Sequence, residues 1–214
     1  MLLSYYTVKG YGEHEINIQK SRFIAYIQRA ETEQEAQGFI QSIKKKHHDA
    51  NHNCSAYLIG ENDQIQKAND DGEPSGTAGV PILEVLKKRK LKNTVVVITR
   101  YFGGIKLGAG GLIRAYGTST SEGLNTAGIV ERKLMAIIVF QVNYSLLGKF
   151  ENEIRNSSYP LKAINYSDDV EFQVCVPVDE RENFIEWVTD LSNGNIKIAE
   201  TTEKEYMEQP VTVD

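Results

Sequence analysis

Val170-Glu171-Phe172-Gln173-Val174-Cys175-Val176 places an apolar residue at every second position, the period of a strand with one face buried. The chain around it repeats that logic. Upstream, Leu161–Tyr166 reads as a second strand, set off by the helix-breaking pair Tyr159-Pro160. Leu147, Phe150 and Ile154 are spaced as one helix face, and Ile138, Phe140, Val142 and Tyr144 alternate as another strand. Downstream, Phe184, Trp187, Val188 and Leu191 fall at i, i+3, i+4 and i+7, Gly194 supplies a helix stop, and Ile196–Thr201 closes with a strand. Residues 135–206 thus carry the order βαββαβ, the ferredoxin-like plan. Residues 207–214 are expected to be a loose tail.

The preceding 134 residues form a second α+β unit, with a short linker expected near Lys133. Glu15–Ile18 and Phe23–Ile27 are strand-like. Thr32-Glu33-Gln34-Glu35 reads as a capping box, followed by Ala36, Phe39, Ile40 and Ile43 on one helix face. Lys44–Lys46 fall in the last turn, where cations complement the helix dipole. Cys54–Ile59 and Gln64–Lys67 read as a hairpin around Glu61-Asn62-Asp63, and a helix is expected from near Pro81. The β-branched run Thr94–Thr99 predicts a central strand, and a third helix is expected from about Gly110 to Leu124.

The 214 residues carry a formal charge of −5, which conceals an asymmetry. Residues 1–134 hold 18 Lys+Arg against 14 Asp+Glu, a net +4; residues 135–214 hold 6 against 15, a net −9. Such a split points to two units with different partners. The longest apolar run, Leu134–Phe140, falls far short of the roughly 20 residues a membrane helix needs. Two cysteines make no disulfide framework, and a cytoplasmic location is the expectation.

Three segments carry residues suited to chemistry. Asp70-Asp71-Gly72-Glu73-Pro74-Ser75-Gly76-Thr77-Ala78-Gly79 clusters three carboxylates with Ser75, Thr77 and three glycines. Asp70, Asp71 and Glu73 are candidate Mg²⁺ ligands, and the alternative is a turn that caps a helix. Between the expected central strand and third helix lie Arg100, Tyr101, Phe102, Gly103, Gly104, Lys106, Gly108, Gly110, Gly111 and Arg114. Glycines let backbone approach a ligand, a helix N-terminus favours anions, cations pair with phosphate, and Tyr101 and Phe102 could stack on bases. The spacing is neither a Walker A loop nor a dinucleotide fingerprint. The alternative is tight packing at a strand–helix turn. The third segment, His47-His48-Asp49-Ala50-Asn51-His52-Asn53-Cys54, offers His and Cys at short spacing but too few convergent ligands for zinc, so no metal or other cofactor is expected. A Cys54–His nucleophile pair is the catalytic alternative, and a buried Cys54 at a strand entry the structural one.

The Arg100-Tyr101-Phe102-Gly103-Gly104-x-x-Leu107-Gly108 stretch, with Asp70–Gly79, Ser21-Arg22-Phe23-Ile24-Ala25 and His52-x-Cys54-x-Ala56-Tyr57, resembles the signature segments of the IMPACT family in its bacterial YigZ/YvyE-type form. The resemblance implies a ribosomal protein S-five domain-two-like first domain and a second domain like the ferredoxin-like fifth domain of elongation factor G. Eukaryotic relatives add an RWD domain and regulate translation initiation, competing for the activator of a stress-responsive kinase. The present chain is expected to start directly at the IMPACT-type domain, with no room for an RWD domain.

Three readings follow. The first is a non-enzymatic cytoplasmic protein binding RNA, the ribosome or translation factors through the basic first domain, with any protein partner on the acidic second one. The second is a nucleotide or phosphate-ester enzyme of the galactokinase–homoserine kinase type, with Lys106 on phosphate. The third is a protein-interaction module in which Asp70, Asp71 or Glu73 pairs with Arg100 or Arg114. The basic runs Lys44–Lys46 and Lys87–Lys90 would add to an RNA footprint if they shared a face with Arg100, Lys106 and Arg114.

Overall fold

The computed structural model describes residues 1–199 and 203–211. They divide into two compact units. One comprises residues 5–131 with Met1 and 209–211; the other comprises 132–199 and 203–208 with residues 2–4.

The first unit runs β1 (Ser4–Val8), β2 (Gly12–Ile18), β3 (Ser21–Arg29), α1 (Glu33–Lys46), β4 (His52–Ile59), β5 (Ile65–Asn69), α2 (Gly79–Lys88), β6 (Thr94–Tyr101) and α3 (Gly108–Ala127). Five strands form an antiparallel sheet in the order β2-β3-β6-β4-β5. Its central strands are apolar almost throughout because both faces are covered. Ile24, Tyr26, Tyr57, Val95 and Val97 pack with Ala36, Phe39, Ile40 and Ile43 of α1. The alternate residues Phe23, Ala25, Cys54, Ala56, Val96 and Ile98 pack with Ile82 and Leu86 of α2 and Leu112 and Tyr116 of α3. Tyr26 and Tyr116 are among the largest fully buried side chains.

The capping box of α1 forms with a shift. Thr32 Oγ1 accepts from Glu35 N, while the Glu35 carboxylate reaches back to Glu31 N rather than to the cap residue itself. Gly103, just past β6, is required by close approach: a Cβ there would lie 1.9 Å from the carbonyl oxygen of Lys20.

Strand β7 (Ile129–Val142) continues from the first unit into the second. Lys133 sits within it, so the expected linker is extended strand; the apolar run 134–140 and the β-branched residues before it favour pairing over a loop. The second unit continues with α4 (Leu147–Asn156), β8 (Leu161–Tyr166), β9 (Val170–Pro177), α5 (Arg181–Leu191), β10 (Lys197–Ala199) and β11 (Lys204–Pro210). The βαββαβ elements pair as β10-β7-β9-β8, each pair antiparallel. Phe140, Phe172, Phe150 of α4 and Phe184 of α5 meet in one core, with Phe140 and Phe172 stacked 5.3 Å apart.

Three expectations change. Tyr144 does not extend the strand: it opens a 3₁₀ turn, and its hydroxyl donates to Ser167 O. The tail expected from residue 207 is strand β11 as far as Pro210, paired to β7; its polar sequence hid it, since exposed edge strands carry little alternation. The closing strand is Lys197–Ala199, and its expected continuation to Thr201, like residues 212–214 of the tail, lies outside the described residues.

Candidate functional site

Register builds the site. Arg100 on β6 pairs with Phe23 on β3 and His52 on β4, so all three share the face covered by α2 and α3. The loop from Asp70 to Ala78, between β5 and α2, brings Glu73 onto that face. Glu73 Oε1 accepts from Arg100 Nη1 at 2.6 Å and from Tyr116 of α3 at 2.8 Å. Arg100 Nη2 reaches Ser21 Oγ at 3.3 Å, and its guanidinium carbon stands 5.3 Å from the Phe23 ring centroid. Arg100 and Glu73 are buried. Such an ion pair persists in a low-dielectric setting only when further hydrogen bonds complete it, as Tyr116 and Ser21 do here.

The other carboxylates of the loop have separate duties. Asp70 accepts from the amides of Gly76, Ala78 and Gly79 at 2.8 to 3.0 Å. It therefore fills the N-terminus of α2, where Ala78 offers no side-chain cap. Burial pushes the Asp70 carboxyl upward, but the three amides outweigh it and hold the group below its usual range. Asp71 binds Lys44 Nζ and Asn53 N. Among the described residues no three His, Cys, Asp or Glu side chains converge as metal ligands. Thr77 Oγ1 donates to Pro74 O, whereas Ser75 is exposed.

His52 donates from Nδ1 to Asp71 O at 2.9 Å, leaving Nε2 3.9 Å from Glu73 Oε2. Cys54 is fully buried, its sulfur 3.0 Å from Asp70 O and 3.3 Å from the Tyr116 hydroxyl. Burial pushes the thiol up to about 12, so at neutral pH it is a small packed group rather than a nucleophile.

Arg100 and Tyr101, adjacent in sequence, project to opposite sides of the sheet. Tyr101 joins α1's side, where Asp49 fixes the hydrogen-bond direction. The Tyr101 hydroxyl donates to Asp49, so it accepts from His47 Nδ1, and His47 Nε2 accepts from Tyr26. Tyr101 and Phe102 consequently make no common stacking platform. Phe102 lies beyond the end of β6, 45% exposed, with Arg100 5.5 Å from its ring centroid.

The glycine-rich segment leads into α3. Gly104 and Gly108 adopt left-handed φ of 87° and 69°, conformations that favour glycine. The first turn of α3 has no side-chain cap and no acidic residue. Lys106 and Arg114 are exposed and have no ion-pair partner among the described residues. Arg114 Nη1 lies 3.7 Å from the point where Gly110 would carry a Cβ. A cavity of about 370 Å³ opens here, bounded by Glu73, Arg100, Phe102, Lys106, Ala109 and Leu112.

The basic runs do not form one helix face, because α1 and α2 cover opposite sides of the sheet. Lys44 and Lys46 pair with Asp71 and Glu13, and Lys87 with Glu84. Sequence reading foresaw neither the bond of Tyr116 to Glu73 nor Ser21 as a partner of Arg100; both depend on tertiary placement that a single sequence does not display.

The Impact N-terminal domain model matches residues 19–124, and the model described as Domain of unknown function (DUF1949) matches residues 140–195. The chain is 65% identical over 211 residues to IMPACT family member YvyE of Bacillus subtilis (strain 168), covering 99% of this chain and 97% of that protein. It is 32% identical over 190 residues to IMPACT family member YigZ of Escherichia coli (strain K12), covering 85% and 90%. A solved structure titled "Crystal structure of an hypothetical protein" superposes with a TM-score of 0.60 at 29% identity, over 95% of this chain and 100% of that one. With nearly its full length aligned to one such relative and both of its units matched in order, the chain belongs to the IMPACT family.

Proposed function

We propose that the chain is a non-enzymatic cytoplasmic protein that binds RNA of the translation machinery through its first unit. The observation that carries this reading is the contrast between two helix starts. Asp70 occupies the N-terminus of α2, while that of α3 is left open, with Lys106 and Arg114 beside it and no acidic residue in its first turn. Free amides and unpaired cations at a helix start favour phosphate. In this reading Arg100 organises Glu73 and the loop rather than touching phosphate, and Lys106 and Arg114 make the backbone contacts. The fold names suggested by resemblance belong to the same proposal: a ribosomal protein S-five domain-two-like sheet and a ferredoxin-like second unit, the latter supported by the β10-β7-β9-β8 order.

The test is co-sedimentation with ribosomes and titration with total RNA at about 50 and 200 mM salt. Binding should weaken steeply with salt. Lys106→Ala and Arg114→Ala should each lower the slope of log affinity against log salt by about 1. Salt-independent binding, or none, overturns the reading. A second reading, a protein-interaction module with no nucleic-acid role, draws support from the buried Glu73–Arg100 pair, since those charges serve each other. It predicts that both lysine and arginine variants leave RNA retention unchanged.

A further inference from the structure

The cavity at the start of α3 is lined mostly by apolar surface, with a few polar groups set into it. At its rim the first amides of a 20-residue helix have no intrahelical acceptor and no side-chain cap, and Lys106 stands beside them. At its inner wall Arg100, its side chain only 6% exposed, uses Nη1 and Nη2 but leaves Nε buried without a partner. Glu73 Oε1 is taken by Arg100 and Tyr116, while Oε2 stands 3.9 Å from His52 Nε2, beyond hydrogen-bond reach. Phe102 and Leu112 supply apolar wall between rim and interior. The rim thus offers donors and positive potential, the interior an acceptor, and the wall an aromatic face.

That sequence of groups complements a ligand with a phosphate at one end and a ring system bearing N–H or O–H donors at the other. We propose that this cavity takes a nucleoside 5′-monophosphate unit. Its phosphate lies on the amides at the start of α3 with Lys106, its base rests against Phe102, and a sugar hydroxyl or base amino group donates to Glu73 Oε2. The volume, about 370 Å³, lies within the roughly 300–1,000 Å³ usual for small-molecule sites. The unit is either a free nucleotide or the phosphorylated end of an RNA. The proposal deepens the reading above and rests on its assignment of phosphate to this helix start.

Calorimetric titration of the full chain tests it with AMP, adenosine, inorganic phosphate, and one short RNA carrying either a 5′-phosphate or a 5′-hydroxyl. AMP should bind at least about tenfold more tightly than adenosine, since charge-assisted hydrogen bonds at the rim act only on the phosphate. Ala109→Asp puts a carboxylate into the first turn, where it supports the helix but repels phosphate, so the fold survives and the preference for AMP disappears. Phe102→Leu should weaken AMP several-fold while leaving inorganic phosphate unchanged. Competition between AMP and the 5′-phosphorylated RNA alone supports the site with an RNA end as its source; AMP binding without discrimination between the RNAs supports it with the free nucleotide. Equal affinity for AMP and adenosine, or indifference to Ala109→Asp, overturns it. Salt-dependent binding of both RNAs alike, with no AMP binding, overturns the cavity proposal while the RNA reading stands; absence of all binding overturns both.

Discussion

At the scale of single residues, the pair Glu73–Arg100 and the chain Tyr26–His47–Tyr101–Asp49 show what one strand's alternation does. Thr99 and Tyr101 face α1, and Arg100 faces α2 and α3. The sequence reading treated Arg100, Tyr101 and Phe102 as one binding cluster because they are contiguous; the period of two separates them. Removing Arg100 leaves Glu73 buried with only neutral donors, so Arg100→Ala should cost about 3–5 kcal/mol of stability, read as a lower urea midpoint. Arg100→Ala combined with Glu73→Ala should cost less than the two single variants added together. His47 gives a pH dependence. Burial, then Lys46 and Arg22, hold its imidazole below its ordinary 6.5, against the opposing pull of Asp49 and Glu13. A histidine held neutral in the fold but free to protonate when unfolded contributes stability that is fully present above about pH 6.5. That contribution declines as pH falls below 6.5 toward the folded value, because the unfolded chain then binds more protons. The urea midpoint should therefore fall between pH 7.5 and 5.5, and His47→Gln should flatten this decline. An undiminished decline in the variant would assign it to other groups.

At the scale of elements, the starts of α2 and α3 differ: one is filled by a carboxylate and the other carries no side-chain cap. Asp70 sits eight and nine residues before the amides it caps at Ala78 and Gly79, which no local capping pattern describes. Sequence reading kept a capped turn as the alternative to metal binding and could not choose between them, because the two uses of a carboxylate differ only in what the folded loop brings near. Asp70→Asn keeps the shape but removes the charge facing three amides, and should cost roughly 1–3 kcal/mol at pH 7. Its lowered carboxyl means that this contribution is present above the unfolded carboxylate range and is lost as pH falls through the folded value. Wild type and Asp70→Asn should thus converge in stability as strongly acidic pH is approached, a trend that denaturant midpoints between pH 7 and 3 would reveal. The elements with long apolar periodicity, α1, β6, β9 and α5, were legible from pattern alone. Strands β1 and β11 were not: β1 is five residues long with the polar Thr7 among its three buried positions, and five of the seven residues of β11 are exposed, so hydrophobic periodicity marks neither.

At the scale of the whole chain, the charge split was legible by counting, whereas the continuity of β7 across the two units was not. Residues 135–214 carry net −9, and α5 displays Glu182 and Glu186 on its exposed side. If RNA is held by Lys106 and Arg114 in the first unit without touching the second, the second unit's charge acts on it only through a field that salt screens. Such a field decays over a Debye length of about 8 Å at physiological salt and about 30 Å at 0.01 M. Replacing both glutamates by glutamine should therefore raise RNA affinity at low salt and lose that gain near 0.15 M. Lys106→Ala, which removes a direct phosphate contact, should weaken binding at both. A gain from the double variant that persists at 0.15 M would place the RNA against the second unit and shift the interface away from α3.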